Sequence, residues 1–163
     1  MTLIIALVML VVIGLASAAV MRSSLTSDVV SNNARVHTLA QQAAQLALRF
    51  CETQIELESK DWVGGFTIHA ASAGNPYWQS FETWHGGGAV SAVNLPDAVL
   101  GSEDSSFKPT TVPQCLAEWT DTVPGGKTII VTARGFSPDY DQTGDGRQTA
   151  GSVVWLQSTL SVK

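Results

Sequence analysis

The chain opens on an apolar run and then changes period without stopping. "MTLIIALVMLVVIGLASAAVM" carries no charged side chain, and Arg22 ends it. Past Arg22, apolar residues recur at Val29, Val36, Ala40, Ala43, Ala44, Leu46, Ala47 and Phe50, in steps close to three and four. Asn32, Arg35, Thr38, Gln42, Gln45, Arg49 and Glu52 take the other side. This is the pattern of an amphipathic helix with a narrow, alanine-rich stripe. No proline and no turn cluster divides the two stretches, so one helix is expected over about residues 1–57, closed by the breakers Gly64 and Gly65.

Beyond residue 62 the periodicity shortens. Segments 64–70, 89–95, 126–136 and 151–162 read as strands, the last two most clearly because β-branched residues dominate them. In 151–162, Val154, Leu156, Ser158, Leu160 and Val162 form the apolar face, with Trp155 at the edge of the opposite one. Joined by "SPDYDQTGDGRQTA", these two strands make an antiparallel hairpin with a long loop. A small antiparallel sheet laid on the amphipathic half of the helix covers both apolar stripes at once. The expected fold class is therefore α+β: a helix over 1–57 and a globular head over 58–163.

The opening run has three readings: a cleaved signal, a membrane anchor, or a helix that packs against copies of itself. A secretory signal has a basic start and a shorter apolar core. Here both are wrong, and although "ASA" at 16–18 resembles a cleavage site, the helical pattern continues past it. At 1.5 Å per residue the run reaches about 30 Å, a bilayer core, so a transmembrane helix is expected. Gly14 and its small neighbours Ala16, Ser17, Ala18 and Ala19 permit close helix–helix approach.

Charge and cysteine content narrow the function. Residues 1–60 balance four basic side chains against four acidic ones, whereas 61–163 carry five basic and ten acidic, which accounts for the net charge of −5. An acidic head lacks the basic face that phosphate backbones require, so nucleic acid is not an expected partner. Cys51 and Cys115 are the only cysteines. If the N-terminal segment delivers the head across a membrane, a disulfide is expected between them; in a reducing compartment they would be buried apolar residues.

Taken together, "MTLIIALVMLVVIGLASAAVMRSS", "RVHTLAQQAAQLALRFCE" and the ending "ARGFSP…GSVVWLQSTLSV" resemble a minor pilin of the PilX type from type IV pili. The resemblance covers both ends of the chain but not about residues 60–125. It implies a mature prepilin, with a basic leader removed before Met1 and the new amine methylated. It implies residence in the bacterial inner membrane with a periplasmic head, then extraction into an extracellular filament whose core is a bundle of these helices. The implied partners are other minor pilins, the major pilin and a tip adhesin, and the implied role is structural: priming pilus assembly or forming part of an adhesive tip complex.

Two positions depart from the family pattern. Most pilins carry Glu at mature position 5, where this chain has Ile5; that carboxylate is thought to pair with a neighbour's terminal amine. Its absence suggests a subunit at the filament tip or at the start of assembly. Arg22 stands where major pilins often have a helix-weakening proline, although Gly14 can still loosen the helix. A type II secretion minor pseudopilin is the alternative within the same architecture. A single-span membrane protein with a periplasmic binding head is the alternative outside it.

Three motifs offer other chemistry. "DYDQTGDG" sets Asp139, Asp141, Thr143 and Gly144 at positions 1, 3, 5 and 6 of a calcium-loop pattern, followed by Asp145. Ala150 stands where the distal bidentate Glu belongs, and a solvated hairpin loop uses the same residues, so calcium is the one cofactor the sequence offers, against a plain hairpin loop. "WHGGG" at 84–88 is similar to an oxyanion strip, but no G-x-S-x-G elbow accompanies it. His37, His69 and His85 are scattered, so no catalytic residue is expected. Finally, "NPYWQSFETWHGGG" concentrates Tyr77, Trp78, Phe81 and Trp84 in a loop-like region, which suits either a partner contact or core packing.

Overall fold

A computed structural model describes the backbone of residues 2–72, 74–101, 110–120 and 127–162; within these, the side chains at 18, 19, 22–25, 127 and 162 are not described. The chain forms two compact units, Met1–Arg35 and Val36–Lys163, and one helix, α1 (Thr2–Glu56), runs through both.

In the first unit, over residues 3–13, α1 is apolar on every side. Leu3, Ile4, Ile5, Leu7 and each residue from Val8 to Ile13 have more than half of their surface uncovered. Successive helical residues are turned by about 100°, so such a run leaves no polar face. Among the described residues, however, no helix is long and apolar enough to cross a membrane. The expected transmembrane helix is thereby corrected. A span needs about 20 consecutive, predominantly apolar residues, and no stretch of the described helix supplies them.

In the second unit the periodic stripe of α1 meets a sheet. Ala40, Ala44, Ala47, Phe50, Cys51 and Gln54 are buried, one to two per turn. The sheet is built from β3 (Gln114–Thr120), β4 (Lys127–Phe136) and β7 (Val153–Val162), with β4 antiparallel to both neighbours. Two short strands share the free edge of β3: β1 (Ile68–His69) runs parallel to it and β2 (Val93–Asn94) antiparallel. The sheet is thus mixed rather than purely antiparallel, because the edge is filled by two fragments entering from opposite directions. The architecture is pilin-like, a long N-terminal helix packed through its second half on a small α+β head.

Register divides the sheet into two faces. Cys115, Ala133 and Leu156 are aligned, and so are Ala117, Val131 and Ser158. This inner face meets α1: Cys51 is bonded to Cys115, and Ser158 donates to Glu52 Oε1 at 2.6 Å. The approach is closest at Gly135, where an added Cβ would lie 2.1 Å from the Ala44 nitrogen. Alanines on the helix and a glycine on the strand together allow backbone to meet backbone. Gln54, buried under the helix end, accepts from the Val63 N–H at 2.9 Å and ties down the chain as it leaves α1.

Candidate functional site

The outer face of the sheet is where the head places its unusual chemistry. On it stand Gln114, Leu116 and Glu118 of β3, Thr132, Arg134 and Phe136 of β4, and Trp155 and Gln157 of β7. A cap covers them: a 3₁₀ turn (Tyr77–Gln79), the short helix α2 (Phe81–His85) and the chain that follows. Helix α2 begins after Ser80 and stops at Gly86, whose φ of +77° a residue with a Cβ rarely adopts.

Trp84 is the keystone of the cap. It is 4% exposed, its Nε1 donates to the Trp78 carbonyl at 2.9 Å, and its ring meets Trp155 edge-on with centroids 4.7 Å apart. Arg134 lies beneath. Its guanidinium is 5.2 Å from the Trp84 ring centroid, 5.1 Å from Phe136 and 5.5 Å from Trp155. Nε donates to Gln114 Oε1 at 2.6 Å and Nη2 donates to the Trp84 carbonyl. Burial brings its pKa down to about 10, against a smaller opposing influence of Tyr140, so it remains charged at neutral pH. Three aromatic faces and two neutral acceptors thus hold a cation that is 4% exposed.

Further along the same face, Glu118 is buried and accepts from the Tyr77 N–H at 2.8 Å. Burial pushes its carboxyl above the ordinary range, opposed by the N–H groups of Tyr77 and Trp78. The two buried ionisable groups of the outer face thus have separate partners, Arg134 in Gln114 and the Trp84 carbonyl and Glu118 in the Tyr77 N–H.

The long loop between β4 and β7 folds into its own hairpin, β5 (Asp141–Gln142) with β6 (Gln148–Ala150). It docks on α2 at Gly146, where an added Cβ would lie 2.4 Å from the Phe81 ring and 2.9 Å from His85 Nε2. Phe81 and His85 stack at 3.8 Å beside it.

The residues singled out from sequence are distributed as follows. Met1 and the Arg22 side chain lie outside the described residues, Ile5 is 60% exposed, and Gly14 has open space about it. Cys51 and Cys115 form a disulfide with a Cα–Cα distance of 6.3 Å. Of the aromatic stretch, Trp84 is buried, Tyr77 and Trp78 are half-buried, and Phe81 is exposed. The carboxylates at 139–145 do not converge: Asp141 accepts from the Thr149 hydroxyl, while Asp145 pairs with Arg147 at 3.3 Å and accepts from Thr143. Among the described residues no cluster of three His, Cys, Asp or Glu side chains is placed to hold a metal ion. Arg134, Gln114 and Glu118 complete the outer face and carry no motif in the sequence. An arginine and a glutamate on the polar-reading face of a strand carry no mark of burial until the cap is placed over them.

No known protein family, curated protein or solved structure matches the chain.

Proposed function

We propose that the chain is a structural subunit of the minor-pilin type, polymerising through its first helical unit and displaying a disulfide-linked head. The observation that carries this reading is the uncovered apolar surface of α1 from Leu3 to Ile13. A helix that is apolar all round is stable only when surrounded, and each Leu, Ile or Val fully covered contributes about 1.5–3 kcal/mol. Copies of the same helix supply that cover. Gly14 leaves room for a close neighbour, and the Ser17 hydroxyl is satisfied within its own helix, donating to the Ile13 carbonyl at 2.9 Å. A bundle of such helices therefore buries no orphaned hydroxyl at this position. The disulfide supports assembly in an oxidising, extracytoplasmic setting. The partners of this reading are the major pilin, other minor pilins and a tip adhesin, and the lack of any acidic residue in the first turn of α1 fits a terminal or initiating place among them.

Replacing Val8 and Val12 together by Asn tests it. In filaments sheared from cells, the native chain is expected in the filament fraction and the variant is expected to be absent, with the head's thermal transition unchanged. Equal recovery of both chains in the filaments, or of neither, overturns the reading.

A further inference from the structure

Arg134 forms no ion pair with any carboxylate among the described residues. Its surroundings are also polarised in one direction. A guanidinium only donates, so Gln114 must meet it with Oε1. Gln114 Nε2 then donates to Asn94 Oδ1 at 2.6 Å, which leaves the Asn94 amide with its N–H donors to spare. In the same way Tyr140 donates its hydroxyl to Gln142 Oε1 at 2.9 Å and leaves the Gln142 amide as a donor. Arg134, Asn94 and Gln142 line one cleft of about 500 Å³, together with Ser91, Thr111 and Thr143.

Such a cleft is complementary to an anionic oxygen ligand. One guanidinium matches one negative charge, and with Nε and Nη2 already donating to Gln114 and Trp84, the Nη1 N–H groups are left as donors for a ligand oxygen. A multiply charged ligand is disfavoured by the surrounding acidic head. The walls decide what bears the carboxylate. Among the lining residues Ala92 is the sole aliphatic side chain; the rest are mainly hydroxyls and amides, with the rings of Trp84 and His85. A peptide held along its length adds apolar pockets or a strand edge to any grip on its carboxylate, and neither lines this cleft. A sugar presents hydroxyls, which these walls satisfy.

We propose that this cleft binds the carboxylate of an acidic sugar residue, a uronic or sialic acid, with the carboxylate on Arg134 and the sugar hydroxyls on Asn94, Gln142 and the neighbouring hydroxyl side chains. The site goes beyond the filament reading and does not depend on it.

Titration of the full-length chain in detergent with glucuronic acid, N-acetylneuraminic acid, glucose and N-acetylglutamate amide, followed by saturation-transfer NMR, tests the site. At least one acidic sugar is expected to bind at least ten-fold more tightly than glucose, and more weakly as salt is raised. Ser91→Asp places a carboxylate at the exposed rim of the cleft without touching Arg134, and is expected to weaken binding at least ten-fold with an unchanged thermal transition. Arg134→Gln is expected to abolish the preference for acid over glucose. Equal binding of glucose and the acids, no binding of either acid, or an unaffected Ser91→Asp variant overturns the site. Tighter binding of N-acetylglutamate amide than of the acidic sugars overturns the sugar assignment in favour of an acidic peptide.

Discussion

His69 and Glu118 are partners across the parallel β1–β3 contact, and burial holds each of them toward its neutral form. Tyr77 serves both, its ring 6.1 Å from that of His69 and its N–H bonded to Glu118. The two groups give opposite pH slopes. Glu118 has a folded pKa above its ordinary 4.5, so its contribution to stability is fully present below that value and is lost as pH rises through the raised one. His69 has a folded pKa below its ordinary 6.5, so its contribution is present above 6.5 and is lost as pH falls through the lowered one. Melting temperature followed from pH 7.5 to pH 4.5 should separate them. Glu118→Gln keeps an acceptor for the Tyr77 N–H and leaves a protein that loses stability on acidification. His69→Gln leaves one that gains it. Parallel profiles for the two variants would show that neither shift contributes.

The Cys51–Cys115 bond joins the buried stripe of α1 to β3 across 64 residues of sequence. Closing a loop of that length stabilises the folded chain by about 4 kcal/mol in the chain-entropy description. Urea unfolding in the presence and absence of reductant should show a loss of that order. A change under about 1 kcal/mol would mean that the head is held by its core alone.

Helix α1 was legible because its two periods are both helical and nothing interrupts them. Strands β4 and β7 were legible because β-branched residues alternate in them. Strand β3 was not, and the reason is physical. "QCLAEWT" is covered on both faces, Cys115 and Ala117 by the helix and Leu116 and Glu118 by the cap, so no alternation of polar and apolar residues survives in it. Its one charged residue, Glu118, reads as solvent-facing yet is buried. The candidate strands at 64–70 and 89–95 shrink to two residues each, because they share a single edge of β3. The site was the least legible part. It depends on Trp84 and Arg134, fifty residues apart, meeting across a cap that has no periodic pattern of its own.

Gly135 is required by the helix–sheet contact rather than by its own backbone. A methyl group there meets three backbone atoms of α1 between Ala40 and Ala44 at 2.1–2.7 Å, and backbone cannot turn aside as a side chain can. Gly135→Ala is expected to destabilise the head by about 1–3 kcal/mol or more, the range of overpacked cores. Gly144→Ala, where nothing lies within 4 Å, is the matched control and should stay within about 0.5 kcal/mol. Equal denaturation midpoints for the two variants would remove the close approach from the account.

Ile5 gives the sharpest test of where the subunit sits. Its side chain lies within the apolar stretch of α1, and the first turn holds no acidic residue. A carboxylate buried among apolar helices costs several kcal/mol unless an amine lies opposite. In the proposed filament that amine would come from the terminus of an adjacent copy; a chain without the carboxylate would leave it unpaired in the interior and be tolerated at an end, where one neighbour is missing. Ile5→Glu supplies the missing anion and should let the subunit enter the shaft. Immunogold labelling of sheared filaments is expected to show the native chain at ends and the variant along their length. Label confined to the ends in both cases would remove position 5 as the determinant of placement. Label along the shaft for the native chain would remove the terminal placement itself.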